Sequence, residues 1–191
     1  LIIVNPKSAA GATSGKWAST ASELRTHFGP FRVAFTTGPG DAINIAELEA
    51  KAGRKFIIAC GGDGTINEVA NGIIRSGAET ELGVLPSGTG GDFRRTLRLP
   101  STNREAAIAL RDGKTERMDA GLVTFQGHAG ETVSRYFLNI SSVGLAAGVI
   151  RRVKSAKMFD WLAVDRLRGK ASFAVSALQE MLEIEAVPVR I

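Results

Sequence analysis

Asp63 lies between glycines in the stretch Cys60-Gly61-Gly62-Asp63-Gly64-Thr65. A carboxylate at the mouth of such a turn can serve as a base, or hold a metal ion beside a phosphate. Three glycines in four positions let the backbone turn sharply and approach a ligand where a Cβ would collide. Residues 55–60, Lys-Phe-Ile-Ile-Ala-Cys, precede the turn and read as a buried parallel strand. Ile66, Val69, Ala70, Ile73 and Ile74 follow it, apolar at the spacing of one helix face, and predict a helix over residues 65–75. That helix would aim its first N–H groups and positive dipole end at the turn, making an anion site with phosphate as the expected anion. Two structural roles compete with this reading. Thr65-Ile66-Asn67-Glu68 has capping-box spacing, and glycines after a strand are ordinary turn chemistry. Neither role requires Asp63, for which the sequence offers no structural purpose.

The elements that must position this turn follow from the chain order. Leu1-Ile2-Ile3-Val4 is a strand ended by Asn5-Pro6, and residues 7–15 form a small polar loop. Within that loop Gly11, Gly15 and Lys16 fall one residue short of a Walker A spacing, and Trp17 stands where Ser or Thr should be, so no P-loop is expected. Trp17, Ala21, Leu24 and Phe28 mark a first helix stopped at Gly29-Pro30. Residues 31–35 form a second strand, and Asp41 is a suitable N-cap for a helix to about residue 52. Residues 82–85 form a fourth strand leading into a second glycine turn, residues 86–92, and a short helix with Arg94 and Arg95. Thr102-Asn103-Arg104-Glu105 is a second capping box, opening a helix to about residue 111.

This βαβαβαβ order predicts an α/β fold with a doubly wound parallel sheet over residues 1–117. Asn5, Thr36 and the two glycine turns each follow a strand and should gather at the carboxyl edge of the sheet. From residue 118 the pattern changes to antiparallel strands over 117–125 and 135–140, a basic segment over 151–170 with Met158, Phe159 and Trp161, and a helix over 171–182. A strand over 187–191 ends the sequence. Residues 118–191 are thus expected to be the incomplete start of a β-rich second domain.

Composition excludes several classes. Of 191 residues, 44% are hydrophobic and 23% charged, an ordinary globular balance. One cysteine permits no intramolecular disulfide, which suits a reducing, cytoplasmic compartment, and two distant histidines make a zinc site improbable. No apolar run approaches the ~20 residues of a membrane span, and no signal peptide is evident. The net charge of +5 favours anionic partners.

Taken together, Asn5-Pro6-Lys7-Ser8, Gly61 through Glu68, Leu85 through Asp92 and Met118-Asp119-Ala120-Gly121 resemble the bacterial lipid kinases of the diacylglycerol kinase catalytic family, relatives of sphingosine kinases and NAD kinases. Residues 137–144 resemble an early strand of that family's second domain. The resemblance implies an ATP-dependent kinase acting on a hydroxyl of a diacylglycerol-like lipid. It implies ATP at Asn5, Thr36, Gly61, Gly62, Asp63, Gly64, Thr65, Ile66, Asn67 and Thr89. Asp63 would be the catalytic residue, beside the γ-phosphate and acceptor hydroxyl or acting through Mg2+, whose ligands are unknown. Lys7, Lys16, Asp92 and Arg94 would form the acceptor and phosphate surroundings. The implied partners are ATP and a lipid at an anionic membrane surface, with peripheral membrane association and no nucleic acid, and the unpartnered strand edge at 187–191 separately suggests self-association. Two departures stand out: Gly91 replaces the family's usual Asn, and a later catalytic acid is not in this sequence. An NAD kinase and a nucleotide- or lipid-binding module without turnover are the alternatives.

Overall fold

The computed structural model describes residues 1–87, 91–127, 129–142, 145–155 and 165–183. Its centre is a four-stranded parallel sheet of β1 (Ile2–Val4), β2 (Val33–Phe35), β3 (Phe56–Gly61) and β4 (Glu81–Pro86), in the order β2-β1-β3-β4. Successive side chains of a strand point to opposite faces, and both faces here are apolar. Ile3, Ile57, Ala59 and Val84 pack with Ala42, Ala46, Ile66, Val69 and Ile73 of α2 (Asp41–Lys51) and α3 (Asp63–Ser76). Ile2, Val4, Ile58, Cys60 and Leu85 pack with Leu24 of α1 (Ala12–Phe28) and Ala106 and Ala107 of α5 (Asn103–Asp112). The sheet is therefore doubly wound, as the apolar strand runs require. Burial pushes the Cys60 thiol up to about 12, so Cys60 is an inert core side chain.

Local chemistry moves several boundaries. α3 begins at Asp63 and not at Thr65, with Gly62 as its N-cap and no side-chain cap, so the capping box over 65–68 does not form. α1 begins at Ala12 after a short 3-10 turn (Ser8–Gly11), which places Lys16 on a helix and not in a loop. Gly40, not Asp41, is the N-cap of α2. The Asp41 carboxylate instead turns back to accept from Thr37 Oγ1 (2.5 Å), Thr37 N (2.8 Å) and Gly38 N (3.0 Å). These donors, the Thr37 hydroxyl foremost, hold its pKa below the usual carboxylate value.

After α4 (Asp92–Thr96) and α5, residues 113–120 carry no strand, and β5 (Gly121–Gln126) pairs antiparallel with β6 (Thr132–Phe137). The antiparallel strands expected over 117–125 and 135–140 are this shorter hairpin. It is held to α3 by Asn71, which is 1% exposed. Asn71 Nδ2 donates to the Tyr136 carbonyl and Asn71 Oδ1 accepts from Tyr136 N, both at 2.8 Å, as a neighbouring strand would. The hairpin thus falls within a compact unit spanning Leu1–Asn139. The strand expected over 137–144 stops at Phe137, and residues 138–142 have no strand partner.

The other unit, Ile140–Ile191, contains α6 (Leu145–Ser155) and α7 (Asp165–Glu183). Part of the expected basic segment is therefore helix α6. Its Arg152 pairs with Glu180 and Glu183 of α7 and does not simply face solvent. Leu178, Met181 and Leu182, by contrast, are exposed on α7. Among the described residues, no helix is long and apolar enough to cross a membrane. Thr89, Met158, Phe159, Trp161 and the 187–191 strand lie outside the described residues.

Candidate functional site

The order β2-β1-β3-β4 reverses direction between β1 and β3, and a crevice at the carboxyl ends of strands at such a point is where open α/β sheets bind ligands. Asn5 leaves β1 there and the glycine turn leaves β3. Asn5 N donates to Cys60 O at 2.9 Å, and Asn5 Nδ2 to Thr65 Oγ1 at 3.0 Å. The other amide atom of Asn5, Oδ1, accepts from Lys7 N at 3.0 Å and turns the loop sharply. Gly61 is required here by packing: a Cβ on it would stand 2.5 Å from Thr65 Oγ1. None of Gly61, Gly62 or Gly64 takes a positive φ, so the triplet does not make a left-handed bend. A Cβ on Gly64 would meet open space.

α3 joins the surrounding segments through one polar side chain after another. Thr65, buried, holds Asn5 after β1. Glu68 Oε1 accepts from Gly40 N ahead of α2 at 3.1 Å. Asn71 holds β6. Asp63 reaches α4: Oδ2 accepts from Asp92 N at 3.2 Å and Oδ1 from Phe93 N at 3.1 Å. Asp63 therefore has the structural purpose that the sequence did not show. Its carboxylate supplies the first N–H groups of α4 with the acceptor that a cap residue would otherwise provide.

Among the described residues, no side chain gives the start of α3 such an acceptor. The four helices that follow strands, α1 to α4, begin at Gly11, Gly40, Gly62 and Gly91, N-cap residues with no side chain of their own to cap them, and of these α4 takes its acceptor from Asp63. All four starts face the carboxyl edge of the sheet. α5, which follows a loop, is capped by Thr102, whose Oγ1 accepts from Glu105 N at 3.2 Å. Gly91 has φ +65° and ψ 33°, the left-handed region that glycine and asparagine both tolerate. Gly91 thus holds a backbone that the asparagine expected there would also tolerate.

The remaining expected residues are placed as follows. Thr36 is buried and its N–H donates to Val4 O at 2.9 Å, extending the sheet toward the edge. Ile66 is 1% exposed in the core, so only its backbone belongs to the turn, with N donating to Gly62 O at 3.1 Å. Asn67 lies half-buried on the second turn of α3. Lys7 Nζ donates to Thr37 O at 3.2 Å, bridging the loops after β1 and β2. Asp92 is exposed and pairs with Arg95, Arg94 is half-buried on α4, and Lys16 is exposed on α1.

Three hydroxyls are additions to the expected set. Thr13, 3% exposed, lies 2.6 Å from Ser8 Oγ and 2.5 Å from Ser87 Oγ, and Ser87 N donates to Gly61 O at 2.8 Å. This chain ties the loops after β1 and β4 to the glycine turn. Nothing in the spacing of Ser8, Thr13 and Ser87 announces this chain in the sequence. A cleft of about 320 Å3 opens beside α3 and is lined by Pro39, Gly40 and Ile43, by Asn67, Glu68 and Asn71, and by Arg135 of β6.

Comparison with known proteins agrees with this arrangement. Residues 1–123 match the model of the diacylglycerol kinase catalytic domain. The chain is 33% identical over 152 residues to the diacylglycerol kinase of Staphylococcus epidermidis, covering 80% of this chain and 43% of that protein. It is 32% identical over 156 residues to the diacylglycerol kinase of Staphylococcus haemolyticus, covering 82% and 42%. The crystal structure of a diacylglycerol kinase from Bacillus anthracis str. Sterne superposes with a TM-score of 0.57 at 29% identity, covering 69% of this chain and 46% of that one. The chain thus spans less than half the length of these relatives. It belongs to the diacylglycerol kinase catalytic domain family.

Proposed function

We propose that this chain carries the nucleotide-binding part of an ATP-dependent lipid kinase that phosphorylates a hydroxyl of a diacylglycerol-like lipid. The observation that carries the reading is the uncapped start of α3 at the β1–β3 switch point, where Gly64 leaves the approach open. Phosphoryl transfer asks a protein for positioning and charge stabilisation, which backbone N–H groups at a helix start supply. ATP phosphates lie against Gly61 to Thr65, with Asn5, Thr36, Asn67 and Thr89 around the nucleotide. Lys7, Lys16 and Arg94 contribute positive charge to the phosphate and acceptor surroundings.

Magnesium binds through one or two carboxylates plus substrate phosphates, and the half-buried Asp63 at the turn is the carboxylate that would hold it. When bound, it neutralises charge on the phosphate oxygens. Asp63, held in orientation by α4, would act on the acceptor hydroxyl. The lipid is met at an anionic membrane surface by a protein peripherally associated from the cytoplasmic side.

Calorimetric titration with magnesium–ATP tests the nucleotide site. Gly62 is in extended backbone that any residue adopts, φ −83° and ψ −178°, so Gly62→Val should fold. The wild-type chain should bind, and Gly62→Val should not, with unchanged unfolding; equal affinities would refute the assignment. A radiometric assay of the full-length gene product against diacylglycerols, other lipids and NAD tests the acceptor, and activity on NAD alone would overturn it.

A further inference from the structure

Two threonines on α1 are buried, and they use their hydroxyls differently. Thr20, 6% exposed, donates to the Lys16 carbonyl four residues back at 3.1 Å, a common habit of helical threonine, and accepts from Asn103 Nδ2 of α5 at 2.7 Å. Thr13 reaches away from its own helix, to Ser8 Oγ and Ser87 Oγ. A hydroxyl has one proton to give and two lone pairs to accept with. The Asn5 carbonyl cannot donate, so Ser8 Oγ gives its proton to Asn5 O at 2.9 Å. Ser8 Oγ therefore accepts at its 2.6 Å contact, and Thr13 gives its proton there. Thr13 Oγ1 in turn accepts from Ser87 Oγ at 2.5 Å. Its approach to the Ser87 carbonyl is longer, 3.2 Å, and competes poorly for that one proton. The protons run one way, from Ser87 through Thr13 and Ser8 to Asn5.

Both ends of this run are fastened to the glycine turn, Ser87 N on Gly61 O and Asn5 Nδ2 on Thr65 Oγ1. The bonds thus close a circuit on Gly61 to Thr65, and Thr13 is its link to α1. Direction matters as well: Ser87 turns its proton inward and has none to give a phosphate oxygen, which accepts only. We propose that Thr13 is a positioning residue of the nucleotide site: its hydroxyl sets the loops after β1 and β4 against the glycine turn at the spacing that ATP requires. The proposal rests on the nucleotide reading above.

Calorimetric titration of the wild-type chain and four variants with magnesium–ATP tests it. Thr13→Val keeps the side-chain shape, breaks the circuit at its middle and should weaken ATP about tenfold. Thr13→Ser restores the hydroxyl and should bind as the wild type does. Thr20→Val should lower the urea midpoint, yet leave ATP affinity unchanged. Ser87→Ala breaks the same circuit from the loop, so it should cost as much as Thr13→Val, and the double variant no more than either. Unchanged affinity in Thr13→Val, no rescue by Thr13→Ser, or an equal loss in Thr20→Val would overturn the proposal. Additive losses in the double variant would overturn it too, by making Ser87 a ligand to phosphate in its own right. If Thr13→Val does not fold, Ser87→Ala decides alone: full ATP affinity there contradicts the circuit. Wild-type chain that does not bind magnesium–ATP would overturn the nucleotide reading itself, and this proposal with it.

Discussion

Thr65-Ile66-Asn67-Glu68 and Thr102-Asn103-Arg104-Glu105 are the same helix-start pattern, and the molecule uses them in opposite ways. At α5 the pattern closes the helix: Thr102 accepts from Glu105 N and its hydroxyl donates to Glu105 Oε2 at 2.8 Å. At α3 the helix has already begun at Asp63, so Thr65 and Glu68 are inside it and turn outward. Thr65 takes Asn5, Glu68 takes Gly40, and the start of α3 is left uncapped. A capping pattern preceded by a glycine turn at a strand end is therefore poor guidance to a cap. Its residues become cross-links between loops, and the N–H groups they would have covered face the crevice.

The contrast predicts that damage along α3 spreads and damage at α5 stays local. The largest effect should come from Asn71→Ala, which leaves the Tyr136 N–H and carbonyl without their partner in a half-buried place. Loss of about 2–3 kcal/mol in urea unfolding is expected, and a loss below about 0.5 kcal/mol would show that the hairpin is not held by this residue. Thr65→Val and Thr102→Val should then differ in kind. Each should cost about 1 kcal/mol of stability, but only Thr65→Val should weaken magnesium–ATP, by roughly tenfold. Equal ATP affinities in the two variants would remove the functional half of the comparison.

Much of this arrangement could be read from residue types. The unbroken apolar run of residues 56–60 announced a strand buried on both faces, and the apolar arc of Ile66, Val69, Ala70 and Ile73 announced the helix packed on it. Sheet order was not legible, because the same βαβ sequence allows several orders, and only the pairing of β1 with both β2 and β3 identifies the switch point. Asn71 was hidden for another reason: a polar residue beside an apolar arc ordinarily faces water, and only tertiary contact reveals that β6 covers it. The Asp63 contact with α4 joins residues about thirty positions apart and leaves no local periodicity. Helix α6 was concealed by its run of basic residues, which drew attention to charge and away from the spacing of buried Val149.

Asp63→Asn sharpens the account of α3 more gently. Asparagine can accept on one arm only and would set an NH2 against an N–H of α4. Amide exchange at Asp92 and Phe93 should quicken about tenfold while the sheet amides stay protected and ATP binding largely persists. In the full-length protein turnover should be lost. Unchanged exchange at α4 would show that the carboxylate does not hold that helix.

The smallest effect concerns the loop between β2 and α2. Asp41 has a depressed folded pKa, so its contribution is fully present above the ordinary carboxylate value and is lost as the pH falls through the lower folded one. Near neutral pH nothing should change. Below the ordinary carboxylate value, exchange at Thr37 and Gly38 should rise in the wild type, and Asp41→Asn should abolish that pH dependence. An acid response that persists in Asp41→Asn would assign it to another group.

The central claim is that α3 holds its neighbours while its own first N–H groups are kept for phosphate. Amide NMR during titration of the wild-type chain with magnesium–ATP tests it directly. The largest shift changes should fall on the amides of Asp63, Gly64 and Thr65, with the α5 start at Asn103 to Glu105 unmoved. Saturable binding whose largest shifts lie away from the α3 start would contradict it.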